Sequence, residues 1–136
     1  MILAAASASG GVQSTARTIL VVDHRETIRR VLALILESEG FQVVSTDTAS
    51  AAVALACEVQ PAVVMLDLAL AQQSAIKALK SLKADARTRD VPVILLTTPS
   101  DIVSDVDRAQ AAAVLTKPLD LDAMVTDVRG LVMLTV

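Results

Sequence analysis

The sequence predicts an α/β fold, in which five strands alternate with five helices to form a doubly wound five-stranded parallel sheet. Short apolar runs of strand length recur along the chain, and the apolar residues between them follow the spacing of a helix stripe. The run at residues 62–66 has no alternating polar positions, which is typical of a parallel strand covered by helices on both faces. Strands and helices that alternate in this way are joined by right-handed crossovers, so a mostly parallel sheet is expected.

Composition limits both the architecture and the function. The 136 residues suit one domain, and 54% of them are hydrophobic with one Phe and no Trp or Tyr, so the core is expected to be aliphatic. A net charge of −3 and a pI near 5.0 argue against nucleic acid as a partner, and the missing aromatics remove any platform for base stacking. A single cysteine, Cys57, excludes an intrachain disulfide, and no apolar run is long enough to predict a membrane span.

The first sixteen residues differ in composition from the rest. They are mostly small and polar, and they lack the positive region and the long apolar region of a signal peptide. We expect residues 1–16 to be a flexible leader, residues 17–136 to be the domain, and the protein to be cytoplasmic.

The first strand and helix follow this leader. The run Thr18–Asp23 predicts a strand, and the next residues change to helical spacing, with Gly40 as the expected helix stop. The apolar stripe of this first helix comprises Ile28, Val31, Leu32, Ile35 and Leu36.

The second strand and helix are shorter and richer in alanine. Gln42 interrupts the apolar run Phe41–Ser45, which favours an edge position in the sheet. Either Asp47 or Thr48 is an acceptable N-cap for a helix that runs to about Val59.

The middle of the chain predicts a central strand at 62–66, a loop over Leu68–Gln73 and a third helix over Ile76–Ala84. Three lysines of this helix are expected to face solvent: Lys77, Lys80 and Lys83. Because proline cannot donate a backbone hydrogen bond, Pro92 is expected to open the fourth strand, Val93–Leu96.

Two further helices flank the last strand, Ala113–Thr116. Ser100 or Asp101 is expected to cap the fourth helix, which reaches about Ala111; its inward residues are Ile102, Val106 and Ala109. Asp120 is expected to cap the last helix, whose apolar stripe comprises Leu121, Met124, Val125, Val128 and Val132. Leu131 and Val132 are assigned to the core, and the remaining apolar residues at the end could complete the core or support a homodimer.

Four of the predicted strands deliver a polar residue at the carboxyl end: Asp23, Asp67, Thr97 and Lys117. In an open α/β sheet the functional crevice lies beyond these ends, where the strand order reverses. If the first and third strands are neighbours there, Asp23 and Asp67 face each other, and two carboxylates so close repel and favour a hard cation such as Mg²⁺. Thr97 and Lys117 are donors suited to phosphate oxygens, which makes Asp67 a candidate nucleophile of the aspartyl-phosphate kind. Each residue alone has an ordinary structural explanation, and their coincidence at four strand ends favours the site.

These segments resemble the receiver domain of two-component response regulators. The matching segments read ILVVD at 19–23, VMLD at 64–67, ILLT at 94–97 and LTKP at 115–118. The resemblance extends from about Arg17 to the C-terminus and implies the flavodoxin-like strand order 2-1-3-4-5.

The resemblance also implies a function. Asp67 would accept a phosphoryl group from a histidine kinase or phosphotransfer protein, and Thr97 and Lys117 would contact that group. Mg²⁺ would be held by Asp23, Asp67 and the backbone carbonyl of Ala69. The output would be a protein contact with an unknown partner, and the bond before Pro118 would be cis.

The chain also departs from the family pattern. His24 replaces the second of two adjacent acidic residues, which predicts weaker Mg²⁺ binding; the histidine either faces solvent or serves as a metal ligand or pH switch. Thr98 replaces a smaller residue and narrows access to Asp67, and Val114 falls where the family has an aromatic switch residue. In the loop after Asp67, alanines stand where the family often has Pro and Gly: Ala71 and Ala75.

Three functions therefore remain open. The first is a stand-alone phosphoacceptor receiver, and the second is a receiver-fold binding module that works without phosphorylation because of His24 and Thr98. The third is a nucleotide-binding enzyme, against which the absence of glycine in the loop at 23–27 argues.

Overall fold

The fold is an open sheet of five parallel strands with helices on both faces. The computed structural model describes residues 17–70 and 72–134; the predicted leader and the last two residues lie outside this part of the chain. The strands are β1 (Thr18–Val22), β2 (Gln42–Thr46), β3 (Val63–Asp67), β4 (Val93–Thr97) and β5 (Ala113–Thr116). Their order in the sheet is β2-β1-β3-β4-β5, which confirms the predicted order 2-1-3-4-5.

Five helices connect these strands. They are α1 (Glu26–Ser38), α2 (Ala49–Val59), α3 (Gln72–Ala84), α4 (Asp105–Gln110) and α5 (Leu121–Leu134), with a 3₁₀ turn at Leu68–Leu70. Helices α1 and α5 pack on one face of the sheet, and α2 and α3 pack on the other. None of the helices within the described ranges is long and apolar enough to cross a membrane.

The three inner strands are apolar on both sides because both faces are covered. Successive residues of β1 illustrate this, since Ile19 belongs to the cluster under α1 and α5 and Leu20 to the cluster under α2 and α3. β3 and β4 have the same alternation, and all of their residues are buried. The aliphatic core packs around the inner strands, and the predicted polar residues Asp23, Asp67 and Thr97 lie at the carboxyl ends of these strands.

Several predicted helix caps and the predicted cis peptide bond are confirmed. Gly40 ends α1 with φ +96°, where its amide donates to the Glu37 carbonyl at 3.0 Å and the next amide, of Phe41, donates to Leu36 at 3.1 Å. Thr48 caps α2 by accepting a hydrogen bond from an amide of the first turn at 3.3 Å. Asp120 caps α5 in the same manner at 3.1 Å, and the peptide bond before Pro118 is cis.

The prediction for α4 is wrong. The helix begins at Asp105 rather than after Ser100 or Asp101, and its cap is Ser104. The reason is a competing turn, in which the Asp101 carboxylate accepts the amide of Thr98 at 2.7 Å and the Asp101 amide donates to the Thr98 carbonyl at 3.0 Å. The residues predicted to face inward are exposed instead: Ile102 (81% exposed), Val106 (71%) and Ala109.

Smaller differences affect the other helices. Lys83 is half-buried rather than fully exposed. Its Nζ donates to the carbonyls of Val91 at 2.7 Å and Arg89 at 3.2 Å, and these bonds hold the loop before β4. Val31 and Leu121 belong to the predicted apolar stripes, yet both side chains are exposed.

The loop predicted after β3 and the end of the chain also differ in part. The 3₁₀ turn Leu68–Leu70 replaces the start of the expected loop, and α3 begins at Gln72, four residues before the predicted start. At the end of α5, Val132 is buried and Leu131 is half-buried against the core, as predicted. Two apolar residues that follow are exposed: Met133 and Leu134.

Candidate functional site

The two predicted carboxylates lie side by side because β1 and β3 are neighbours in the sheet. Val22, the last residue of β1, pairs with Leu66, so Asp23 and Asp67 occupy adjacent positions at the carboxyl edge. Both side chains are fully buried. β4 pairs with β3 on its other side and places Thr97 one position beyond the residue opposite Asp67.

The environment of Asp67 favours its ionised form. Lys117 Nζ lies 2.7 Å from Oδ2, and the amide of Ala69 donates to Oδ1 at 2.9 Å. Burial alone would raise the pKa of the Asp67 carboxyl, but the neighbouring Asp23 carboxyl, the Lys117 ammonium and the Ala69 amide together lower it. Asp67 is therefore a carboxylate with a positive charge held beside it.

Asp23 is in a less favourable position. Its Oδ1 accepts the amide of Arg25 at 2.9 Å, whereas its Oδ2 is buried and accepts no hydrogen bond from the residues in the described ranges. Lys117 Nζ is 3.9 Å from that Oδ2. Burial, followed by the proximity of the Asp67 carboxyl, raises the pKa of Asp23 above its usual value of 3.8.

Arg25 is a site residue that the sequence reasoning missed. Its Nη2 lies 3.3 Å from Asp67 Oδ2 and its Nε lies 3.5 Å from Asp23 Oδ1. The backbone of Arg25 is extended and forms the N-cap position of α1, and its carbonyl accepts the amide of Arg29 at 3.1 Å. The available signal was a cationic residue two positions after the acidic end of the first strand.

Thr97 and Lys117 are joined through the backbone, since the Lys117 amide donates to the Thr97 carbonyl at 2.7 Å. Thr97 is buried, and its Oγ1 lies 3.5 Å from Oγ1 of Thr116, which the sequence reasoning did not single out. Lys117 is in direct contact with Asp67, whereas the Thr97 hydroxyl is part of a hydroxyl pair beside them.

His24 and Thr98 lie at the margin of the site. The His24 ring is 48% exposed, with Nδ1 3.7 Å from Asp23 Oδ1. Thr98 is half-buried, and its hydroxyl lies 3.0 Å from that of Ser100 in the turn before α4.

The two neighbouring carboxylates, Asp23 and Asp67, are compatible with a magnesium ion. The part of the chain that the structure describes contains no group of three or more His, Cys, Asp or Glu side chains placed to hold a metal. The orphaned Oδ2 of Asp23 is a buried anionic oxygen without a hydrogen-bond donor, which is the kind of atom that a hard cation satisfies. With the Asp67 carboxylate beside it, such a site would leave most ligand positions to water.

Comparison with known proteins gives consistent results. The chain matches the response regulator receiver domain over residues 19–129. It is 33% identical over 115 residues to the DNA-binding dual master transcriptional regulator RpaA of Synechocystis sp., a match covering 83% of this chain and 48% of RpaA. It is also 32% identical over 114 residues to Protein PilH of Pseudomonas aeruginosa, covering 82% of this chain and 94% of PilH.

The solved structures agree on the fold. The chemotaxis response regulator CheY4 of Vibrio cholerae has a TM-score of 0.76 at 20% identity, and the match covers 86% of this chain and 99% of CheY4. The chain spans about half the length of the first curated relatives, 48% of RpaA and 51% of the phosphate regulon regulator PhoB of Escherichia coli. The resemblance predicted from the strand ends is confirmed, and the chain belongs to the response regulator receiver domains, a family of signalling domains rather than enzymes in the usual sense.

Proposed function

We propose that this receiver domain accepts a phosphoryl group on Asp67 from a histidine kinase or a phosphotransfer protein. The observation that carries the proposal is the buried Asp67 carboxylate at the end of the central strand, with Lys117 Nζ at 2.7 Å. In the reaction, a carboxylate oxygen of Asp67 attacks the phosphorus of a phosphohistidine, and the phosphorus–nitrogen bond breaks with its electron pair returning to the imidazole. The product is an acyl phosphate on Asp67.

Lys117 supports this reaction electrostatically. Its side chain is 16% exposed, so its charge is poorly screened by water and stands where negative charge gathers on the phosphoryl oxygens. Thr97 would offer its hydroxyl to the same oxygens. The backbone hydrogen bond from the Lys117 amide to the Thr97 carbonyl joins the two residues. The acyl phosphate carries about −1.5 to −2 charges in place of the single charge of the carboxylate, and its oxygens would draw both donors toward Asp67.

Receiver domains generally bind Mg²⁺ at the phosphorylation site. In this chain Asp23, Asp67 and the backbone carbonyl of Ala69 would hold the ion, which when bound neutralises charge on the phosphoryl oxygens. We propose that binding is weak, because the second acidic position of the family is His24, whose ring is half exposed.

The output is proposed to be a contact with another protein, whose identity stays open. The match to 94% of PilH supports a receiver that acts without a second domain, whereas RpaA and PhoB are about twice as long as the matched region. Met133 and Leu134 are exposed at the end of α5 and would support a homodimer through the last helix face. The cytoplasmic location stays a prediction.

The test is direct phosphorylation. The protein is incubated with Mg²⁺ and acetyl phosphate, and intact mass spectrometry is expected to show one added phosphoryl group that Asp67→Asn abolishes. Asp47→Asn is the matched control, since Asp47 is an exposed acidic residue that follows β2 at the same edge of the sheet. Absence of an adduct at high donor and metal concentrations, or an adduct that survives in Asp67→Asn, would contradict the proposal.

A second candidate function is a binding module of receiver fold that works without phosphorylation. The observation that favours it is the Arg25 guanidinium, which lies against Asp67 and adds to the departures at His24 and Thr98. If this function is correct, partner binding will be the same for the wild type and Asp67→Asn, with or without acetyl phosphate.

A further inference from the structure

Arg25 is a cationic residue of the site that the proposed phosphoryl transfer does not use. The guanidinium reaches both carboxylates at once, with Nη2 3.3 Å from Asp67 Oδ2 and Nε 3.5 Å from Asp23 Oδ1. The two carboxylates are fully buried, so the guanidinium that bridges them lies in a strong negative electrostatic field.

A count of formal charges shows what this contact does. Asp23 and Asp67 contribute two negative charges, and Arg25 and Lys117 contribute two positive charges within 4 Å of them. The buried group is therefore neutral when all four residues carry their ordinary charges. A divalent cation added to this group would bring its net charge to +2, and the departure of one resident cation would lower that excess to +1.

Of the two resident cations, Arg25 is the one that can leave. Lys117 is 16% exposed and lies 2.7 Å from Asp67, whereas the Arg25 side chain is 43% exposed and its contacts are longer. The backbone amide of Arg25 donates a hydrogen bond to Asp23 Oδ1 at 2.9 Å, which holds the backbone in place. The side chain can therefore turn into solvent without disturbing the start of α1.

We propose that the Arg25 guanidinium is a resident counter-ion that competes with a divalent cation for Asp23 and Asp67. Metal binding requires the displacement of Arg25, and the affinity for Mg²⁺ is limited by this displacement as well as by His24. In the absence of metal, the guanidinium keeps the paired carboxylates neutralised. The inference uses the same site as the proposed function, but its test needs no phosphoryl transfer.

The first measurement is calorimetric titration of the full chain with MgCl₂ at low ionic strength. Arg25→Gln is expected to bind Mg²⁺ roughly tenfold more tightly than the wild type, because a nearby positive charge that opposes the metal is removed. Arg25→Lys keeps the charge but loses the planar fork that spans two carboxylates, so its affinity should lie between the two. Arg30→Gln is the matched control, since Arg30 is an exposed arginine of α1 that pairs with Glu26 rather than with the site.

The expected control result is an unchanged affinity in Arg30→Gln. An equal increase of Mg²⁺ affinity in Arg25→Gln and Arg30→Gln would show that only the net charge of the protein matters, and this result would overturn the proposal. An Arg25→Gln affinity equal to that of the wild type would overturn it as well.

A second measurement uses the wild-type chain and does not depend on the variant being folded. In a ¹H–¹⁵N spectrum, the Arg25 Nε–H signal is expected to move during Mg²⁺ addition along the same binding curve as the Ala69 amide, whose hydrogen bond reports on Asp67. An Nε–H signal that stays fixed while the Ala69 amide shifts would show that metal and guanidinium bind together, which contradicts the proposal.

Phosphorylation of Asp67 and competition between Arg25 and a divalent cation can fail separately. Tighter Mg²⁺ binding in Arg25→Gln without any phosphoryl adduct would support the counter-ion and overturn phosphorylation. An adduct on Asp67 with no effect of Arg25 on Mg²⁺ affinity would give the opposite result.

Discussion

Lys117 Nζ lies 2.7 Å from Oδ2 of Asp67 and joins the end of the last strand to the end of the central strand. Fifty positions separate the two residues in the chain, and the contact exists because β4 lies between their strands and holds both at one edge of the sheet. The ammonium is also one of the groups that lower the pKa of the Asp67 carboxyl. A positive charge therefore lies beside Asp67 before any phosphoryl donor arrives.

Lys117→Met removes this charge. We expect phosphorylation by acetyl phosphate to slow by about a hundredfold or more, which is typical for loss of a preorganised charged donor. The pKa of Asp67 should rise at the same time, because burial is no longer offset by the ammonium. Both are measurable, by timed intact mass and by ¹³C titration of the Asp67 carboxyl.

The control for this prediction is Lys80→Met, since Lys80 is exposed and pairs with Asp107 away from the site. A Lys117→Met protein that is phosphorylated at the wild-type rate would show that Lys117 only packs beside Asp67.

Asp23→Asn is expected to stabilise the protein at neutral pH. The pKa of Asp23 in the folded state is raised above 3.8 by burial and by Asp67, so ionisation is harder in the folded state than in the unfolded state. This destabilisation is absent at acid pH, grows as the pH rises through the unfolded value, and is complete above the folded value. Urea unfolding should therefore show a gain of about 1 kcal/mol for the variant at pH 7 and little or none at pH 3.

Asp47→Asn serves again as the exposed control and should change the free energy of unfolding little at either pH. An Asp23→Asn protein that is less stable than the wild type at pH 7 would mean that the attraction of the Asp23 charge to the Arg25 and Lys117 side chains outweighs the cost of its burial.

Leu66→Ala tests the contribution of the core beside Asp67 to stability. Leu66 is fully buried in β3 next to Asp67, and its replacement should cost about 3 kcal/mol of unfolding free energy through lost burial and the cavity that remains. Leu34→Ala, on the exposed side of α1, should change it by less than about 0.5 kcal/mol. Similar losses in the two variants would contradict the assignment of the two leucines to core and surface.

The predictable part of the site follows from register. Asp23 and Asp67 each end an apolar run, and parallel strands bring such ends to one edge, so the two carboxylates meet once β1 and β3 are neighbours, as they are in this sheet. Arg25 was not predictable in this way, because a long side chain after a strand has many rotamers. Only the folded site shows that its guanidinium reaches Asp67.

The predictable part of the fold follows from periodicity, and α4 shows where periodicity fails. Ile102, Val106 and Ala109 have helical spacing, but helical spacing does not reveal that Asp101 closes a turn with the backbone of Thr98. A short polar side chain that bonds to a nearby amide competes locally with the helix, and the helix then starts later, at Asp105.

Asp101→Ala tests this competition. The variant loses the acceptor of the Thr98 amide at 2.7 Å in a half-buried position, and we expect a loss of about 1 kcal/mol in unfolding free energy. Hydrogen exchange should speed up at the amides of Thr98 and Asp101, because the turn that protects them opens more often. Glu58→Ala, on the exposed side of α2, is the control and should leave both measurements unchanged. Faster exchange throughout β4 would instead show that the turn supports the strand that carries Thr97, and the effect would no longer be local to the start of α4.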